Sequence, residues 1–280
     1  ADEFASEMKE IASLNVHVLG GCCGTTPEYL SKTIALVKDL PIESPVKKNI
    51  SVVTSFSQAV EIGPKPVIIG ERINPTGKKK FKQALRDGDI NYILSEGLKQ
   101  EDAGAHILDV NVGLPEIDEP KMMVEVMKKL QSVIALPLQI DTSDPIALEA
   151  ALRHYNGKAM INSVNGKQES MDAVFPLVKK YGGVVVGLAL DEEGIPDNAA
   201  DRIRIAKKIY KEASKYGIEP KDIVIDGLAM TISSDPTSAI ATLETLRIIR
   251  DELHGHSILG VSNISFGLPQ RPTPYCLQYA

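Results

Sequence analysis

Eight carboxyl and amide side chains stand at the ends of six short apolar runs. Glu71 and Asn74 lie in VIIGERIN (67–74), Asp109 and Asn111 in HILDVNVG (106–113), and Asp141 in LPLQIDT (136–142). Asn162 lies in AMINSVNG (159–166), Asp226 in DIVIDG (222–227) and Asn263 in ILGVSNISFG (258–267). A carboxylate accepts two parallel hydrogen bonds and a primary amide both donates and accepts, so this set suits the polar edge of a nitrogen heterocycle. Each residue also has an ordinary role, since Asp and Asn at strand ends often cap the next helix. Ser163 and Ser265 stand beside the amides, where a hydroxyl would orient them. Arg271 is suited either to a ligand carboxylate as a bidentate partner or to solvent. His17, His106, His154, His254 and His256 are dispersed, and no simple imidazole acid is at hand.

A second motif, GGCCGTTP (20–27), puts Cys22 and Cys23 in a glycine-rich turn ahead of an expected helix. A helix N-terminus and free backbone N–H groups favour thiolates, which bind zinc. The one other cysteine, Cys276, is far along the chain, so two inert thiols are the alternative to a metal site. Adjacent cysteines rarely form a disulfide because the bond would be strained. No GxGxxG opens a helix after a strand and no GxxxxGK[ST] is present, so neither a dinucleotide site nor a phosphate loop is supported.

The β-branched runs that carry these polar residues predict strands. GGVVVGLAL (182–190) adds one more. Helical patterns lie between them, near 89–103, 119–131, 169–181 and 237–252. Asp144 and Pro145 predict the cap and first residue of another helix, Asn198 or Ala199 starts a further one, and Gly217 ends it. Strict strand–helix alternation implies parallel strands with right-handed crossovers. An open doubly wound sheet would concentrate polar chemistry at a few strand ends, whereas nearly all of these carry it. A (β/α)8 TIM-type barrel with one shared mouth is therefore favoured. After the seventh strand comes PQRPTPYCLQYA, which predicts neither an eighth strand nor a last helix. The expectation is a barrel over 67–280, altered or truncated after about 271, lacking its last βα unit and leaving two strand edges exposed. Residues 1–40 predict helix (2–14), strand (15–21) and helix (27–39), one βα unit too small to bury a core alone, with 41–66 as a linker.

The formal charge of -6 and the lack of long Lys/Arg runs argue against a nucleic-acid surface. The short basic patches KKNI and GKKKFK suit solvated faces. No apolar stretch approaches the roughly 18 residues of a membrane span, and the acidic start is no secretion signal, so the expected location is cytoplasmic.

IGERIN, LDVNVG, the strand ending in Asp141, MINSVNG, VIDG and GVSNISFGLPQR, in that order over about residues 67–271, resemble the pterin-binding barrel of cobalamin-dependent methionine synthases. GGCCGTTP resembles the signature near the end of their homocysteine S-methyltransferase module, which implies that residues 1–40 are the C-terminal piece of that zinc module, one βα unit from a second barrel. The resemblance implies that Asp141, Asn162 and Asp226 hold the pterin edge and that Asn263 hydrogen-bonds N5 of 5-methyltetrahydrofolate. Glu71, Asn74, Asp109 and Asn111 match motif positions that serve mainly to organise the loops. It further implies Cys22 and Cys23 as zinc ligands, with a third cysteine outside this chain, and cob(I)alamin, carried by another module or corrinoid protein, as methyl acceptor. Two other readings stay open. One is a dihydropteroate synthase-like pterin enzyme, although INPTGKKK (73–80) does not resemble that family's loop after the first strand. The other is a non-catalytic folate-binding fragment.

Overall fold

The computed structural model describes residues 1–44, 46–233, 237–265 and 277–279. The chain divides into two compact units, Ala1–Asn49 and Ile50–Ala280. In the first, α1 (Asp2–Ser13) and α2 (Pro27–Val37) pair through an edge-on contact of Phe4 with Tyr29 and a Lys32–Asp2 ion pair at 2.9 Å. The strand expected at 15–21 is absent: these residues have no regular structure, and Val18 is exposed. A strand needs a hydrogen-bonding neighbour, and this unit offers none among its described residues.

The second unit opens with a hairpin of β1 (Ser51–Thr54) and β2 (Ala59–Ile62), paired antiparallel. This corrects the expected linker over 41–66. The segment is short and weakly patterned, and tertiary bonds hold it. Thr54 N–H donates to the Lys158 carbonyl at 2.9 Å, and the Tyr155 hydroxyl donates to the Thr54 carbonyl at 2.7 Å while accepting from Leu138 N–H at 3.0 Å. Gly157 lies so close to the Thr54 carbonyl that a Cβ there would overlap it.

Next come β3 (Ile68–Ile73), α3 (Lys79–Asp87), α4 (Ile90–Asp102), β4 (Ile107–Val110), α5 (Glu119–Gln131), β5 (Leu138–Asp141) and α6 (Pro145–His154). Then follow β6 (Met160–Asn165), α7 (Gln168–Tyr181), β7 (Val184–Leu188), α8 (Ala199–Lys215), β8 (Ile223–Asp226), α9 (Ser238–Asp251) and β9 (His256–Gly260). Strands β3 to β9 are parallel neighbours in chain order. The expected caps form: Asp144 accepts from Ile146 N–H at 2.8 Å and Asn198 from Asp201 N–H at 2.9 Å. Helix α3 begins within the basic patch GKKKFK, and its Phe81 and Leu85 are buried.

The last parallel βα unit is missing among the described residues, as expected, but the seam is not open. β10 (Leu277–Tyr279) lies antiparallel between β3 and β9 and closes the barrel. A strand running the other way satisfies the same unpaired N–H and C=O groups, which hydropathy patterning cannot foresee. Among the described residues no helix is long and apolar enough to cross a membrane.

Side chains alternate between two cores. Leu108, Leu138, Ile161, Val185 and Ile225 pack outward against the helices. Val53, Ile62, Val67, Ile69, Ile107, Met160, Val184, Val186, Val224 and Ile258 fill the barrel interior, which the hairpin plugs from the N-terminal end of the strands. Parity then fixes what faces the opposite end. Two residues beyond Ile69, Ile107, Met160 and Val224 stand Glu71, Asp109, Asn162 and Asp226.

Candidate functional site

Carboxyls and amides thus gather at the C-terminal mouth, where barrel enzymes carry their chemistry. Asp141 ends β5 in register with Asn162 of β6. Its Oδ2 accepts from the Asn111 amide at 3.0 Å and from the Asn74 amide at 3.5 Å. Those two amides are held in turn by backbone: Thr76 N–H donates to Asn74 Oδ1 and Gly113 N–H to Asn111 Oδ1, each at 2.9 Å. Asp109 is 1% exposed, and its Oδ1 accepts from Gln139 Nε2 and, at 3.5 Å, from Asn162 Nδ2.

The Asp109 Oδ2 is buried with no hydrogen-bond partner among the described residues. Burial, then the neighbouring Asp141, pushes the Asp109 carboxyl well above the ordinary aspartate range. Burial also raises Asp141, while the bond from Asn111 acts the other way. A neighbouring pair of carboxyls shares one proton more readily than it carries two charges, and both members stand above the ordinary aspartate range. Glu71 is likewise raised, by burial and by Asp141, against the pull of Lys78.

Asp226 ends β8, across the mouth. Its Oδ1 accepts from Leu228 N–H at 2.8 Å, and burial pushes its carboxyl up to about 6, against the opposing effects of that bond and of Arg202. Asn263 follows β9 on a short 3-10 helix, Val261–Ser265, and is exposed. Ser163 is half-buried on β6 and makes no hydrogen bond to the cluster among the described residues. Arg271 lies outside the described residues.

Three contributors escaped sequence reasoning. Gln139, two residues before Asp141, was legible from strand parity alone. Thr142, whose hydroxyl bonds Glu119 at the start of α5, ties the loop after β5 to its neighbour. Arg202, 1% exposed within α8, carried no signal in a helix rich in Arg and Lys.

Cys22 and Cys23 lie exposed in the first unit, with their sulfurs 3.6 Å apart. Zn–S bonds of about 2.3 Å set a tetrahedral edge of about 3.8 Å, so the pair fits two corners of a zinc site. Hydrogen bonds from the Cys23 backbone and side chain hold the Cys22 thiol below its ordinary range, which favours the ligating thiolate. Among the described residues no group of three His, Cys, Asp or Glu side chains gathers to complete such a site.

Comparison with known proteins places these features in context. The family described as pterin binding enzyme matches residues 70–274. Methionine synthase of Mycobacterium tuberculosis is 31% identical over 95% of this chain and 24% of its own length. That of Mycobacterium leprae is likewise 31% identical over 95% of this chain and 24% of its own. The chain therefore spans about a quarter of the length of these relatives. Among solved structures, dihydropteroate synthase from Xanthomonas albilineans in complex with 7,8-dihydropteroate superposes with a TM-score of 0.58 at 20% identity, over 76% of this chain and 77% of that one. The Yersinia pestis dihydropteroate synthase gives 0.55 at 16%, over 76% of each chain. At such identities the structural likeness concerns the fold.

Proposed function

The chain belongs to the pterin binding enzyme family, and from that premise we propose that its barrel mouth binds 5-methyltetrahydrofolate and activates the N5 methyl group for transfer to cob(I)alamin. The transfer would be one step in making methionine from homocysteine. The observation that carries this reading is the convergence of Asp109, Asp141, Asn162 and Asp226 on one mouth, combined with 31% identity to two methionine synthases.

A pterin offers an amidine-like edge of N–H donors beside one carbonyl. The Asp141 carboxyl, held by Asn74 and Asn111, accepts from that edge. Asn162 supplies an amide beside it, and Asp226 closes the opposite side. A methyl group on a tertiary amine leaves readily only when the nitrogen gains a proton or a hydrogen bond in the transition state. Asn263 is the donor proposed for N5. Asp226, with its carboxyl at about 6, is suited to deliver the proton through water near neutral pH.

Cobalamin, held by another module or a corrinoid protein, supplies the nucleophile that takes the methyl group. In the first unit, Cys22 and Cys23 would hold two corners of a zinc ion that activates the homocysteine thiol, with a third protein ligand from outside this chain.

The deciding experiment incubates the chain with 5-methyltetrahydrofolate and free cob(I)alamin and follows methylcobalamin by absorbance. Transfer above the uncatalysed rate supports the proposal. Tight binding without transfer would leave a folate-binding fragment, and condensation of a pterin with p-aminobenzoate would move the chain to the dihydropteroate synthase reaction.

A further inference from the structure

Arg202 is among the largest side chains in the protein to be fully buried, and an ion pair does not explain it. Among the described residues no carboxylate lies within salt-bridge distance of its guanidinium. Instead Nε donates to the Pro196 carbonyl at 2.8 Å, in the loop between β7 and α8. One terminal nitrogen is shared by the Gly227 carbonyl at 2.8 Å, the Thr242 hydroxyl at 3.0 Å and the Leu228 carbonyl at 3.2 Å. Arginine keeps its charge in any such setting, and burying it away from an anion is costly. An apolar residue would fill the space between two helices and a loop more cheaply. The guanidinium therefore has a role that packing does not require.

Two of the carbonyls it holds, those of Gly227 and Leu228, belong to the turn that follows Asp226. Leu228 adopts a left-handed conformation there, with φ of 58°, which a branched apolar residue rarely takes unaided. The same residue's N–H orients the Asp226 carboxyl. We propose that Arg202 is a positioning residue for Asp226: it fastens the Gly227–Leu228 turn that aims the carboxyl into the mouth, and it lays a fixed positive charge behind it. This rests on the folate reading for its purpose, but its physical content does not.

The surroundings leave few rivals for that role. Opposite Asp226, β7 presents Leu188 and β9 presents Ile258, while α9 brings the Thr242 hydroxyl. Besides Asp226, the carboxylate whose charge acts on Arg202 is Asp197, in the β7–α8 loop.

The test uses the full chain with Arg202→Met and Arg202→Lys, and with Asp226→Asn to assign the signal. Carbon-13 NMR of labelled aspartate carboxyls follows the ionisation of Asp226 without any ligand. Folding is checked by circular dichroism, and affinity for 5-methyltetrahydrofolate is read by titration. In Arg202→Met the Asp226 midpoint is expected to rise by about one pH unit, the effect of losing a nearby opposite charge. Arg202→Lys keeps the charge but loses the fork, so the midpoint should stay near its original place while affinity drops about tenfold. A folded Arg202→Met protein with an unmoved midpoint would overturn the proposal, as would full affinity in Arg202→Lys. If neither variant folds, Arg202 is structural cement and the proposal is likewise overturned. If the parent chain binds no folate while the midpoint still moves, the folate reading fails and the coupling of Arg202 to Asp226 stands.

Discussion

Replacing Asp226 by Asn should stabilise the protein above about pH 6 while harming its site. The fold resists the charge that Asp226 carries, because burial pushes its carboxyl up to about 6. An unfolded aspartate titrates at about 3.9, and each pH unit between the two states is worth about 1.36 kcal/mol. The sign follows from proton counting. Between these pH values the unfolded chain has lost its proton and the folded one has kept it, so stability is full below about 3.9 and falls as pH rises through the folded value. The total loss is about 3 kcal/mol, of which about 1 has gone by about pH 4.5 and about 2 remains to be lost by about pH 8. In the variant, the amide oxygen that takes the place of the carboxylate can still accept from Leu228 N–H, so the turn survives, and there is no charge to desolvate.

Urea unfolding of both proteins at about pH 4.5 and about pH 8 would isolate this residue, since every other titrating group is common to the pair. The stability gap should widen in favour of Asp226→Asn by about 2 kcal/mol, or about 4–8 °C in melting temperature for a unit of this size. A gap that does not change with pH, or a parent chain that gains on the variant as pH rises, would refute the reasoning. The gain should come with weakened folate binding, the exchange of stability for function that a buried site charge represents.

Four further outcomes are expected. Asp141→Ala and Asn162→Ala should each weaken 5-methyltetrahydrofolate binding by about 1–3 kcal/mol in calorimetric titration, the scale for deleting a buried hydrogen-bonding partner, and an unchanged affinity would remove them from the site. Asn263→Ala, at the exposed residue proposed to donate to N5, should depress the methyl-transfer rate at saturating folate more than it weakens binding. Cys22→Ser should lower zinc content by atomic absorption while leaving folate affinity intact, since the thiols belong to a separate compact unit. Tyr155→Phe strips a hydroxyl that bridges the hairpin to β5, and thermal unfolding should report a loss of about 1–3 kcal/mol with the mouth unaffected.

What the amino-acid order determined by itself was periodic and local. Apolar runs bounded by polar residues gave β3 to β9, cap residues such as Asp144 and Asn198 gave helix starts, and the step of two along each strand placed Asp109, Asn162 and Asp226 on one face. These follow from short-range geometry that each segment carries with it. Tertiary structure decided whatever depends on a partner distant in sequence. The run at 15–21 found no neighbour and formed no strand, the segment at 51–62 found the barrel floor and became a hairpin, and β10 closed the seam antiparallel because two open strand edges were there to receive it. The raised ionisation midpoint of Asp109 and the carbonyl cradle around Arg202 belong with these, because burial and electrostatic proximity exist only once the strands have met.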